Sequence, residues 1–241
     1  MVSRISIIIP AYNEESSIGL VLDALPQEKI HEIIVVDNGS TDATARVAQE
    51  HGARVVKEPR KGYGSACLKG IDELDTPDIV VFIDGDFSDF PEEIVLLIKP
   101  IETGEKDFVL GSRMILPKSQ SALLPQARYG NRLAVFLIKL FFKHEFTDLG
   151  PFRAIRYSSL MSIGMQDMDF GWTVEMQIKM IQHNFTTVET AVDTRVRIGV
   201  SKVSGTLKGS IGAGIGILSM IAKLWWQHRR ASKYLVMKYE R

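Results

Sequence analysis

Asp84 and Asp86 are the residues of this 241-residue chain best suited to chemistry. They follow the apolar run Ile79–Ile83, and in extended backbone a spacing of two puts both carboxylates on one side. Gly85 between them lets a ligand approach the main chain. Hard oxygens so arranged are a partial site for Mg²⁺ or Mn²⁺, with substrate phosphates and water completing the shell. Asp89 follows closely, and three carboxylates this near one another repel unless a cation stands among them. An Asp-Gly turn would explain the triplet alone; the strand end and the neighbouring Asp89 favour Asp84, Asp86 and Asp89 as metal ligands.

These acids need elements that hold them, and the first half of the chain supplies a regular set. The β-branched runs Ile5–Ile9, Ile33–Val36, Val55–Val56, Ile79–Ile83 and Phe108–Leu110 read as buried strands. Helical stretches fall between them at Glu14–Leu25, Thr41–His51, Gly64–Leu74 and Glu92–Glu102. Such alternation predicts an α/β fold of three layers, a largely parallel sheet between helices. Ligands of such sheets bind outside the carboxyl ends of the strands. There the sequence places Pro10-Ala11-Tyr12-Asn13-Glu14, Asp37-Asn38-Gly39-Ser40, the loop Lys57–Gly64 with Lys61, then Asp84-Gly85-Asp86 and Gly111-Ser112-Arg113. Asp37 is placed to accept hydrogen bonds from a base or ribose, whereas Ser40 reads as the cap of the next helix with Asp42 in its first turn. Gly62-Tyr63-Gly64 could cradle a phosphate or simply turn the chain into a helix; no P-loop lysine follows it.

Composition sets the outer bounds. The chain is 45% hydrophobic and 24% charged, which excludes disordered, collagenous and coiled-coil classes. Its net charge of zero conceals a split: residues 1–111 carry 10 basic and 21 acidic side chains, residues 112–241 carry 19 and 8. The second half therefore suits anionic partners. A lone cysteine, Cys67, fits a reducing compartment and reads as a small core residue. The histidines show no ligand spacing, and no nucleic-acid partner is expected.

In that basic half, Gln126–Lys143 and Trp172–His183 read as helices, Phe152–Tyr157 as a strand and Thr187–Arg197 as extended. On the first helix, Arg128, Arg132, Lys139 and Lys143 fall within an arc of about 60° on a mainly apolar surface. A narrow cationic stripe of this kind suits a helix lying among lipid headgroups, against the alternative of a core helix with snorkelling lysines. The uncharged run Gly209–Ala222 has 14 residues and falls short of the ~20 needed to span a bilayer. The following Lys223-Leu-Trp-Trp-Gln-His-Arg-Arg adds interfacial aromatics and cations. Gly212 and Gly216 form a G-x-x-x-G that could pair helices.

Taken together and in order, Pro10–Glu14, Val36–Asp42, Asp84–Asp86, Gly111–Arg113, Thr147–Arg153 and Arg197–Lys202 resemble family 2 inverting glycosyltransferases of the GT-A, Rossmann-like fold. Within them the chain is similar to the polyprenyl- or dolichol-phosphate sugar transferases, from about Ile5 to Ser204. The resemblance implies a catalytic domain over 1–204 and a membrane-associated helix and basic tail over 205–241. Pro10, Ala11, Tyr12, Glu14 and Asp37 would line the nucleoside pocket, with Lys61 beside them, and Asp84, Gly85 and Asp86 would hold metal and diphosphate. Arg197, Ser201 and Lys202 resemble the late loop that closes on those phosphates, Arg113 and Arg128 the cations that receive a lipid phosphate. Asp148 and Glu175 fall where the family has carboxylates near the reacting centre. Asn38 departs from the usual second acid, and Ser88 stands where mannosyltransferases commonly carry glutamine.

The implied reaction moves a sugar of the glucose or mannose class from a UDP- or GDP-linked donor to a polyprenyl phosphate, with inversion, at the cytoplasmic face of a membrane; a homo-oligomer is compatible with it. A phosphate monoester has a second pKa of about 6, so the nucleophile is already an oxyanion. Asp148 and Glu175 are accordingly expected to orient rather than abstract a proton. The alternatives are a soluble saccharide or metabolite acceptor, which would require a general base, and a non-catalytic nucleotide-sugar-binding protein.

Overall fold

A computed structural model describes residues 3–199 and 207–239, with side chains of the C-terminal helix from 209 to 230. The first half runs β1 (Ile5–Ala11), α1 (Ile18–Ala24), β2 (Glu32–Asp37), α2 (Thr44–Glu50), β3 (Arg54–Lys57), α3 (Tyr63–Asp72), β4 (Ile79–Phe82), α4 (Ile94–Glu102) and β5 (Phe108–Ser112). The second half adds α5 (Pro117–Ala122), α6 (Pro125–Phe142), β6 (Arg153–Arg156), α7 (Tyr157–Ile163), α8 (Trp172–Gln182), β7 (Thr187–Ala191) and α9 (Leu207–Tyr239). The sheet order is β3-β2-β1-β4-β6-β5-β7, parallel throughout except for β6, which runs antiparallel to both β4 and β5. The expected three-layer, mixed and largely parallel α/β architecture is what forms.

The period of two that marked the strands also divides the core. Ile8, Ile34, Val36, Val80, Phe82, Phe108 and Leu110 face α3, α6, α8 and α9. Ile7, Ile9, Val35, Val81 and Val109 face α1 and α4. Both sheet faces are covered, so the strands read as continuous apolar runs.

Several boundaries move, each for a local reason. α1 begins at Ile18 rather than Glu14 because residues 13–17 fold across the strand ends: the N–H of Asn13 donates to Ser40 Oγ (2.9 Å) and that of Glu14 to Thr44 Oγ1 (2.7 Å). Ser40 is thereby not the cap of α2; Asp42 Oδ1 accepts the Thr44 N–H instead, at 3.0 Å. The C-terminal segment is one 33-residue helix, within which Gly209–Arg230 is long and apolar enough to span a bilayer by length and composition. The charge-free stretch of 14 residues understated it, because the helix continues through Lys223. Met220, Ile221 and Leu224 are buried in the core, where α9 packs against α6 and α8. Gly212 and Gly216 do not face another helix through a small-residue seam: a β-carbon at either would meet the Phe170 side chain, at 3.8 and 3.2 Å.

Candidate active site

The loop tips at the carboxyl ends of β1, β2 and β4 do share one hollow, a cavity of about 350 Å³. Pro10, Ala11, Tyr12, Glu14, Lys61, Asp84, Gly85, Asp86 and Arg197 line it. Lys61 Nζ lies 3.6 Å from the centre of the Tyr12 ring and donates to the Gly39 carbonyl at 2.9 Å. Asp37 departs from expectation. It is buried at the end of β2, and its Oδ1 accepts the Ser40 N–H at 2.8 Å, so it shapes the turn while Asn38 lines the cavity. The Asn38 amide donates to the carbonyls of Glu58 (3.0 Å) and Arg60 (2.6 Å) and accepts the Gly62 N–H (2.9 Å). An aspartate has no N–H to donate, so the amide at this position is what ties the loop after β3 to the rim.

Gly62 and Gly64 are a packing device rather than a phosphate cradle. A β-carbon on either would stand 2.2 Å from the carbonyl oxygen of Met168 or Asp167. Between them Tyr63 sends its hydroxyl to Asp84 Oδ1 at 3.1 Å, a contact its sequence position did not suggest. Burial and the charge of Asp86 push the Asp84 carboxyl up to about 7. Asp86 Oδ2 meets Arg197 Nη1 at 3.1 Å, and Arg197 Nη2 reaches Glu14 Oε1 at 3.0 Å. Two carboxylates that repel one another, one only partly neutralised, are a donor set that a hard divalent cation fits.

Asp89 does not complete that set. Among the described residues no three His, Cys, Asp or Glu side chains converge to hold an ion. Phe87, at φ 59°, turns the chain after Asp86, and Asp89 bridges through its backbone to Thr194. Its carboxyl is 2% exposed with no hydrogen-bond partner on either oxygen among the described residues, and burial pushes its pKa well up. Ser201 and Lys202 lie outside the described residues.

The second-half residues assemble around a different hollow. Arg113 grips Asp148 through Nε–Oδ2 (2.8 Å) and Nη2–Oδ1 (2.9 Å), a bidentate pair whose carboxylate is fully buried. Burial opposes both charges, but Arg113 and its hydrogen bonds hold Asp148 below the usual carboxylate range, and Asp148 in turn keeps Arg113 charged. The turn carrying Asp148 is fastened from four elements. Glu189 of β7 accepts the N–H groups of Thr147 and Asp148; Asn131 of α6 donates to the Thr147 carbonyl and accepts the Leu149 N–H. Gln177 of α8 donates to the Asp148 carbonyl, and Ser112 of β5 bonds Thr147 Oγ1. Asp148 thus orients Arg113, and Arg113, Asn131, Leu133 and Leu149 line a cavity of about 240 Å³ closed on its far side by Ala213, Ile217 and Leu218 of α9. Arg128 sits on α6 outside that lining.

Glu175 lines neither hollow. Its carboxylate accepts the N–H groups of Gln166 (3.1 Å) and Asp167 (2.7 Å) and pairs with Lys179 at 2.8 Å, fixing the segment between α7 and α8. Asp169 and Phe170 of that segment line the first cavity, and Thr173 just beyond lines the second. Arg153, which ends the Thr147–Arg153 motif but was given no role, is fully buried and donates to the carbonyls of Gly150, Leu149 and Thr173; burial draws its pKa down to about 10. Only its position inside a strand core, where a charged residue must earn its place through partners, could have signalled it.

The sequence model described as Glycosyl transferase family 2 matches residues 6–164. The chain is 35% identical to an uncharacterized glycosyltransferase of Mycobacterium tuberculosis (strain ATCC 25618 / H37Rv), over 90% of this chain and 98% of that one. It is 32% identical to the UDP-N-acetylglucosamine–dolichyl-phosphate N-acetylglucosaminyltransferase of Methanococcus voltae, over 67% of this chain and 73% of that one. Among solved structures it is similar to glucosyl-3-phosphoglycerate synthase from Mycobacterium tuberculosis in complex with Mn²⁺, UDP and glucosyl-3-phosphoglycerate. There the TM-score is 0.72 at 25% identity, covering 91% of this chain and 80% of that one.

Proposed function

The chain belongs to glycosyl transferase family 2, and from that premise we propose that it transfers a hexose, with inversion, from a nucleoside-diphosphate donor to a polyprenyl phosphate at a membrane surface. The observation that carries the acceptor is the second cavity: a guanidinium at the head of a groove walled by Ala127, Leu133, Ile217 and Leu218. A phosphate with an apolar chain matches a cation with an apolar trough.

The donor belongs in the first cavity. Tyr12, Asn38 and Lys61 receive the nucleoside, and Arg197 meets the diphosphate. Asp84 and Asp86 would hold Mg²⁺ or Mn²⁺, whose contribution would be charge neutralisation for a departing diphosphate. Tyr63 keeps Asp84 in place; Asp148 holds Arg113 flat and charged toward the incoming phosphate. The acceptor oxyanion needs no proton removed, so the residues here supply position and charge neutralisation.

Association with the bilayer follows from the outer face of the groove. Tyr129, Leu133, Phe136 and Leu140 are exposed along α6, and Ile211, Ile215, Leu218 and Trp226 along α9. Arg132 and Lys143 flank the first stripe, while Arg230 stacks on Trp226 at 3.4 Å. Apolar stripes edged by cations and aromatics suit an anionic headgroup layer, at the cytoplasmic face if donors are drawn from the cytoplasm.

A second reading, transfer to a soluble phosphorylated metabolite, is favoured by solved neighbours that hold phosphoglyceric acid or glucosyl-3-phosphoglycerate. The deciding experiment offers UDP-glucose, UDP-N-acetylglucosamine and GDP-mannose with Mn²⁺, each with a short polyprenyl phosphate or with 3-phosphoglycerate, and EDTA as control. Transfer to the lipid that EDTA abolishes is expected. Transfer to phosphoglycerate alone would overturn the lipid acceptor.

A further inference from the structure

The segment joining α7 to α8 and the first turn of α8 touch both cavities: Asp169 and Phe170 line the donor side, Thr173 of α8 the groove. In a transfer between those cavities the migrating sugar must occupy their junction. We propose that Asp169 and Phe170 form the subsite for the transferred hexose, the carboxylate accepting its hydroxyl groups and the ring covering one of its faces. The inference rests on the donor reading above.

The electrostatics of the cavity single out Asp169. Four carboxylates line it, and three are engaged: Asp84 by Tyr63, Asp86 and Glu14 by Arg197. Asp169 carries no hydrogen bond or ion pair on its carboxylate among the described residues, although its own N–H donates to Asp167 Oδ1 at 2.9 Å. A free carboxylate beside a site for a diphosphate repels that anion, but it suits neutral O–H donors. Phe170 supplies the apolar face that a sugar ring presents its C–H groups to.

The wall is built in advance. Glu175 holds the N–H groups of Gln166 and Asp167, and the Met168 carbonyl accepts both the N–H (2.9 Å) and the hydroxyl (3.1 Å) of Ser65. Phe170 rests on α9 where Gly212 and Gly216 leave room for it, which gives the G-x-x-x-G a purpose other than helix pairing. Two residues on, Trp172 packs edge-on against Tyr63 (5.9 Å) and Phe82 (4.6 Å), placing the segment beside the elements that end at Asp84. The nucleoside end, by contrast, is furnished from the loops after β1, β2 and β3.

The test is calorimetric titration of wild type, Asp169→Asn and Phe170→Leu with UDP, UDP-glucose, GDP and GDP-mannose in Mn²⁺. Melting temperatures verify that each variant is folded. For whichever hexose donor wild type binds, Asp169→Asn is expected to weaken it by about 10–100-fold while the parent diphosphate changes less than about twofold. Phe170→Leu should act in the same direction. Among deoxy-hexose donors, one should bind wild type and Asp169→Asn equally, identifying the hydroxyl received. Equal weakening of diphosphate and donor, or no weakening of either, overturns the inference. So does loss of turnover with donor binding intact, which would make Asp169 a base. Wild type that binds no nucleotide-hexose at all would sink the donor reading along with it; wild type that transfers while ignoring Asp169→Asn sinks only the subsite.

Discussion

The two cavities are built on opposite plans. The donor cavity is assembled mainly from loop tips at the ends of neighbouring parallel strands, so most of its residues follow one another in the chain at a strand end, Asp169, Phe170 and Arg197 being added from the second half. The groove is assembled from helices α6 and α9 and a turn clamped from four elements, with partners 16 to 42 residues apart. In the first, charge is left uncompensated, as Asp84 with its raised pKa attests; in the second, the buried charges Arg113 and Asp148 are fully matched. A site that must capture a cation and an anion together keeps unsatisfied charge, whereas one that must hold a guanidinium still for an incoming phosphate satisfies its partner first.

The sharpest way to break that contrast is to neutralise the donor pair. Asp84→Asn should reduce transfer by more than about 10³-fold through loss of the cation site. It should nevertheless raise the melting temperature of the metal-free protein, because it removes like-charge repulsion. A thermal scan beside a turnover assay checks both; a variant that is less stable and inactive would mean that Asp84 is structural. The matched pair should behave in the reverse sense. Asp148→Asn should lower both stability and transfer, the latter by about 10²-fold, because Arg113 is left charged and misaligned. Donor binding should stay unchanged, read by titration with nucleotide-sugar, and the loss should be independent of pH between about 6 and 8, since no proton is abstracted there.

Next in size is the effect of pH. Asp84 titrates at about 7 in the folded chain against 3.8 for an ordinary aspartate, so between those values the folded state binds a proton that the unfolded state does not. Stability without metal therefore falls as pH rises through this window and levels off above about 7. Metal affinity runs the other way, weakening up to about tenfold for each pH unit below 7 as the proton competes. Mn²⁺ titrations at pH 5.5, 6.5 and 7.5, followed by paramagnetic resonance, measure this. A flat affinity profile would place the titrating group elsewhere.

The same contrast explains what could be read from sequence. The sheet and its ligand-bearing rim were legible because strand burial has a period of two and each rim residue follows its strand directly. Orientation at the rim was less so. Asp37 turns to its own loop because Ser40 N–H is at hand, and Asp89 turns inward because Phe87 takes a left-handed conformation; neither choice is visible in residue type. In the groove the roles themselves were hidden. Asp148 and Glu175 stood out in the sequence only as carboxylates, because their partners come from residues distant in the chain or from a loop with no periodicity. Asn38, Asn131 and Arg153 act through carbonyls and amides that only the folded backbone brings near.

The smallest expected effect tests whether the groove opens toward lipid. Arg132 is exposed on α6 and engages no carboxylate among the described residues, so its replacement disturbs neither cavity. A cation near an anionic surface contributes about 1 kcal/mol, or about fivefold in partition. Arg132→Gln should therefore weaken sedimentation with vesicles of mixed neutral and anionic lipid by about that factor, and the loss should vanish at high salt. Transfer to a short, water-soluble polyprenyl phosphate should be unaffected, because Arg113 and Asp148 are untouched. Turnover on acceptor embedded in the vesicle should fall in step with binding. If instead the soluble acceptor suffers equally, the α6 stripe serves the reacting phosphate itself, and the division between a matched guanidinium inside and free cations outside does not hold.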